Sequence, residues 1–136
     1  MTDGGRAPTG LAPGVTLYFV DARGELRPQL RRTGRLGTVT EAMSLLLSGP
    51  GDADDLHTEI TPVGTTRVVV TTTPHVIELL VPLTIRDVTS LGIDQVVCTA
   101  LGVQVQGGGS RTMKVQVRFV QPTAESDKQR TCPLIR

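Results

Sequence analysis

The chain has 136 residues and a formal net charge of +1, from 14 Lys and Arg against 13 Asp and Glu. That length suits one domain, since two would each fall near the size where burial barely offsets chain entropy. The even charge balance excludes a sequence-independent grip on nucleic acid or anionic membrane. One Tyr, two Phe and no Trp supply no stacking platform for bases.

Residues 1–14 are rich in Gly, Pro and small polar side chains, which bury too little surface to order themselves, and they read as a flexible tether ahead of a domain over 15–136. The first ten residues hold no apolar core of a signal segment, and nowhere do about 18 apolar residues run together. This fits a cytosolic chain, or one from which a leader has been cut.

Val15-Thr16-Leu17-Tyr18-Phe19-Val20 has the β-branched and aromatic composition of a strand, and Asp21-Ala22-Arg23-Gly24 is a turn signal behind it. Leu26 to Arg32 returns as an Arg-studded edge strand, although Pro28 counts against it. Thr38 and Glu41 have capping-box spacing. Ala42-Met43-Ser44-Leu45-Leu46-Leu47 then supplies the apolar face of a helix that Gly49-Pro50 ends. Beyond an acidic loop (Gly51 to Asp55) come a short extended piece near His57–Ile60, a strand from Arg67 to Thr73, a turn at Thr73-Pro74-His75 and a strand from Val76 to Val81. The unbroken run Val68-Val69-Val70 predicts a central strand covered by helices on at least one face.

A second helix begins near Thr89 or Ser90, places Val97, Ala100 and Leu101 at helical spacing, and ends at Gly102. Gly107-Gly108-Gly109-Ser110 reads as a hinge or hairpin loop. From Met113 to Val120 the pattern alternates, with Met113, Val115, Val117 and Phe119 on one face and Lys114, Gln116 and Arg118 on the other. The sum is an α/β (α+β) fold, a single mixed sheet of about four to five strands packed against two helices.

Chemistry-bearing residues are sparse. Cys98 has Val97 and Thr99 beside it and no adjacent base, so it lacks the surroundings of a nucleophile. Cys98 and Cys132 are two buried free thiols in a reducing compartment, or a disulfide in an oxidising one. Two His and two Cys are too few for most dedicated zinc sites, so no metal or other cofactor is expected. His57 and His75 flank turns and read as surface residues. The acids Asp52, Asp54, Asp55 and Glu59 fail the EF-hand pattern: counted from Asp52, the sixth position is His57 and the twelfth Val63, where Gly and Glu are required. Gly107-Gly108-Gly109-Ser110 lacks the Lys and the following helix of a phosphate loop. Arg23, Arg27, Arg31, Arg32 and Arg35 form the one basic cluster. On an edge strand, Arg27, Arg31 and Arg32 would make a positive strip able to pair with carboxylates or phosphates. The same charges would also protect that edge from pairing with another strand.

The order of segments resembles the GerMN domain, the sporulation and spore germination domain. The opening strand Val15 to Asp21 carries the resemblance, together with the Leu-Leu-x-Gly-Pro helix end in Leu46-Leu47-Ser48-Gly49-Pro50. So do Thr58-Glu59-Ile60-Thr61-Pro62, similar to that family's Thr then apolar-Pro step, and Gln95-Val96-Val97-Cys98-Thr99-Ala100-Leu101, similar to its second helix. The resemblance spans about Val15 to Val120. It implies a non-catalytic extracytoplasmic domain of the cell envelope.

The Cys98 and Cys132 pair looks like that of single-domain actinobacterial lipoproteins, which implies a disulfide pinning the C-terminal tail to the domain. Closing a loop of about 35 residues is worth roughly 4 kcal/mol in the chain-entropy treatment. It also implies a parent protein held to the membrane by a lipid anchor. No lipobox precedes Thr2, so the chain reads as the trimmed soluble form. The expected partner is an envelope protein bound through a sheet edge or a helix face, with homo-oligomers as a further form and no nucleic acid. The alternative is a module for a small anionic ligand or cell-wall glycan, built on Arg27, Arg31 and Arg32.

Overall fold

Val15, Leu17 and Phe19 alternate with Thr16 and Tyr18. In the computed structural model, which describes residues 14–34 and 37–135, this alternation forms β1 (Gly14–Asp21), with all three apolar side chains fully buried. The tether expected over 1–14 lies outside the described residues except for Gly14, which already belongs to β1; Arg35 lies outside them too. The chain turns and returns antiparallel as β2 (Leu26–Arg32), with Tyr18 opposite Pro28. Tyr18 directs its N–H and C=O away from β2, so Pro28 occupies a non-hydrogen-bonded place in the ladder, where its missing N–H removes no bond.

Helix α1 (Val39–Leu47) starts where the Thr38 hydroxyl accepts the Glu41 N–H at 3.1 Å. Val39, Ala42, Met43 and Leu46 form its buried stripe. Gly49, at φ +92°, takes the left-handed position just past the helix that a side chain would strain. Strand β3 (Leu56–His57) pairs with the end of β1 and completes a three-stranded antiparallel sheet in the order β2-β1-β3.

A second sheet holds β4 (Val69–Thr72), β5 (Val76–Leu80), β6 (Lys114–Arg118) and β7 (Gln129–Arg130) in that spatial order. β5 and β6 are parallel, joined through α2 (Ser90–Gln106), and the other pairs are antiparallel. The class is mixed α+β, with the strands divided between two sheets. On the side of β1 away from β2, two side chains of α2 take the place of a neighbouring strand at Tyr18. Thr99 Oγ1 accepts the Tyr18 N–H at 3.0 Å, and Gln95 Nε2 donates to the Tyr18 carbonyl at 3.1 Å.

α2 is therefore apolar on nearly every side, as a helix packed between layers must be. Ile93, Val96, Val97, Cys98, Ala100, Leu101 and Val103 are all buried in a core shared with both sheets and α1. The helix passes through Gly102 rather than ending there, and Gly107 caps it with an N–H to Val103 O at 3.0 Å. Val103 carries the buried face one turn further, and that burial outweighs a glycine penalty of about 1 kcal/mol. Gly107 and Gly108 thus close a helix ahead of a parallel strand; the segment is not a hairpin loop.

Cys98 and Cys132 are joined by a disulfide, with Cα atoms 4.9 Å apart and both residues buried. The bond attaches the C-terminal segment to the middle of α2. Ile135 packs against the core beyond it.

Candidate functional site

The Arg strip is not one surface. In the β1–β2 register, Arg27 and Arg31 lie opposite Phe19 and Val15, while Arg32 lies opposite Gly14 on the other face of the sheet. Arg27 Nε reaches Asp21 Oδ2 at 2.8 Å, and its guanidinium also faces Glu25 at 3.6 Å. Arg31 donates to Gln29 Oε1 at 2.6 Å and to the Gly49 carbonyl at 3.4 Å, tying β2 to the loop after α1. Arg27 borders a shallow depression with Asp21, Arg23 and Asp55, so carboxylates already stand where an anion would sit. The Asp21 carboxyl is held down to about 2 by the Arg27 guanidinium first, then by the N–H groups of Glu25 and Arg23.

A second polar cluster joins β3 to the start of α2. Glu59 accepts from the Thr89 hydroxyl at 2.6 Å and bonds His57 Nε2 at 3.0 Å. These two contacts, that to Thr89 first, place its carboxyl below the usual range. Thr89 also accepts the Gly92 N–H as the cap of α2, and the Glu59 N–H donates to Gln95 Oε1 at 2.8 Å. Every member has a structural partner. The cluster fastens the 57–60 segment to the helix N-terminus and leaves the Thr89 hydroxyl engaged on both sides. Burial pushes the Asp94 carboxyl up, with nearby Arg130 opposing the shift, in a groove between β2 and the Pro133-Leu134 tail. His75 and the acids Asp52, Asp54 and Asp55 are exposed. Among the described residues no three His, Cys, Asp or Glu side chains converge on a point that could hold a metal ion. None of the described helices is long and apolar enough to cross a membrane.

β4 also lies elsewhere than its sequence predicts. Its Val-rich run, expected in the middle of a sheet, is an edge. The physical reason is that the strand has a helix-covered inner face, which the apolar pattern requires, while pairing on both sides is not something composition specifies. Thr73 donates its N–H to Val76 O at 2.9 Å, and Val81, the residue after β5, donates to Arg118 O of β6. Antiparallel alternation then directs the backbone groups of Val69 and Thr71 to β5 and those of Val70 and Thr72 to the open side.

This edge differs from the others. β2 carries Pro28 and three Arg residues, and β3 and β7 are two residues each, all of which discourage strand addition. From Val68 to Thr73 the sequence is six β-branched residues in a row, with no charge and no proline. On the outward face, Val69 pairs with Leu80, and Val120 stands nearby; these are 51%, 48% and 55% exposed. They form an apolar patch bordered by Arg67, while the other half of that face is covered where Gln116 bonds Ser126 O in the turn Ala124–Asp127. On the inner side, Val70 and Thr72 line an open groove with the start of α1 and the end of α2.

No family model, curated protein or solved structure matches the chain.

Proposed function

We propose that the chain is a non-catalytic extracytoplasmic domain of the cell envelope, which binds protein by adding a strand to β4. The observation that carries this reading is the open edge itself: backbone groups of Val70 and Thr72 directed outward from an uncharged β-branched strand, beside an apolar patch. Backbone hydrogen bonds along an edge supply affinity, and a groove beside it accepts alternate side chains. The Cys98–Cys132 bond supports the placement, because disulfides persist in oxidising compartments. The resemblance to GerMN domains supports both the placement and a lipid anchor on the parent protein. The Arg27, Arg31 and Arg32 positions do not favour the anion-binding alternative, since two are engaged internally and the third faces the other way.

A photo-crosslinking amino acid at Thr71, which is exposed on β4, tests this in the living cell. Discrete protein adducts are expected from the envelope fraction, and Val70→Pro, which removes an N–H that β5 does not use, should abolish them. Adducts unaffected by Val70→Pro would overturn the strand-addition reading. Turnover by the purified protein, lost on a single side-chain substitution, would overturn the non-catalytic one.

A further inference from the structure

Resting on the reading of β4 as a docking edge, we propose that its occupant is a second copy of this chain, paired antiparallel about a two-fold axis through Val69. Three observations lead there.

The first is the backbone pattern. Val70 presents its N–H and C=O outward, and Val68, two residues earlier in the same alternation, has the parity to do so once paired. In a pair centred on Val69, Val68 of one copy meets Val70 of the other and the reverse holds by symmetry. An edge of this kind is complementary to itself, as a two-fold interface must be.

The second is the side-chain pattern, which selects the register. On the outward face Val69 is flanked by Leu80. Centring on Val69 aligns Leu80, Val69, then Val69 and Leu80 of the second copy, in one row across the joined sheets. The two Val69 residues form the close, non-hydrogen-bonded pair in which side chains touch most. A register centred on Val70 would instead set each Val69 against Thr71.

The third is charge. Arg67 is exposed and forms no ion pair among the described residues. In the Val69-centred register it lies across from Thr71 of the second copy, whose ladder neighbour is Glu78. Glu78, now paired with Arg118, would then accept a second cation, and the two-fold repeats this contact at the other end. Val68 to Thr73 carries no charge, so no like charges stand directly opposite each other within that stretch.

The product is a continuous eight-stranded sheet made from two four-stranded ones. A short strand pair buries less than a permanent dimer interface does, so dissociation on the order of 10 to 100 μM is expected.

Sedimentation equilibrium of the full chain, with its disulfide intact, tests the proposal. A monomer–dimer equilibrium is expected, weakened at least tenfold by Val69→Lys, which sets two ammonium groups face to face, and by Val70→Pro. Val69 is exposed, so Val69→Lys still reads the interface should Val70→Pro misfold by circular dichroism. Mild oxidation of Val69→Cys should give a covalent dimer, while Thr71→Cys should not. A chain monomeric at millimolar concentration would overturn the proposal, as would a dimer indifferent to Val69→Lys or one crosslinked equally well through Thr71→Cys. Adducts at Thr71 in the cell to a different protein, with the purified chain monomeric, would sink the self-pairing while leaving strand addition intact.

Discussion

Gln95 and Thr99, one helical turn apart on α2, are fully buried and bond both backbone groups of Tyr18. Gln95 also serves Thr58 and the Glu59 N–H, so one amide links three segments. Buried polar groups left without partners are expensive, at about 1 to 3 kcal/mol each. Thr99→Val, which keeps the shape and removes the acceptor, should therefore destabilise by about 1 to 2 kcal/mol. Gln95→Leu, which orphans a carbonyl and an N–H, should cost about 3 kcal/mol. Urea titration with an unchanged m-value would report both. Asp21 makes a different prediction. Its carboxyl pKa falls from 3.8 to about 2 in the folded chain, so its contribution is present above pH 4 and disappears as pH falls through that interval. Asp21→Asn should flatten the stability profile between pH 4 and pH 2 and leave it unchanged in shape at neutral pH.

At the scale of elements, α2 decides the architecture, and two of its glycines have opposite roles. At Gly92 a Cβ would run into the Glu59 carbonyl oxygen, so the helix start and the 57–60 segment approach as closely as they do because no side chain intervenes. Gly92→Ala should destabilise by about 2 kcal/mol. At Gly102 the added methyl would meet only the Tyr18 ring at 3.7 Å and Ile135 at 3.8 Å, ordinary contacts. Gly102→Ala should then stabilise by about 0.5 to 1 kcal/mol through helix propensity alone. Thermal melts of the pair settle both signs. The reversal matters for reading sequence: Gly102 looks like a helix end, and only the buried Val103 beyond it explains why the helix continues.

For the whole molecule, both sheets and both helices share one core, and the disulfide closes the C-terminal segment onto it. Replacing both cysteines with Ala should lower stability by about 3 to 4 kcal/mol and the Tm by about 10 °C or more. Because the core is shared, the two sheets should unfold together. Tyr18, the single tyrosine, sits where β1 meets α2, so its fluorescence and the far-UV circular dichroism should give one midpoint. Separate midpoints would mean that the sheets are independent units.

Local chemistry alone was enough for the opening hairpin, for α1 with its Thr38 cap and Gly49 end, and for the alternating β6, because each rests on spacing within a few residues. The mixed α+β class follows from their order. Which strands neighbour which was decided only in three dimensions. A Val-Val-Val run states that a face must be buried, and it is equally satisfied in the middle of a sheet or at its rim. The dispersal of Arg27, Arg31 and Arg32 over two faces, the use of Gln95 and Thr99 as a substitute strand, and the open side of β4 all depend on partners far away in sequence. Long-range pairing is a property of the packed chain, and it is there that the candidate binding edge arises.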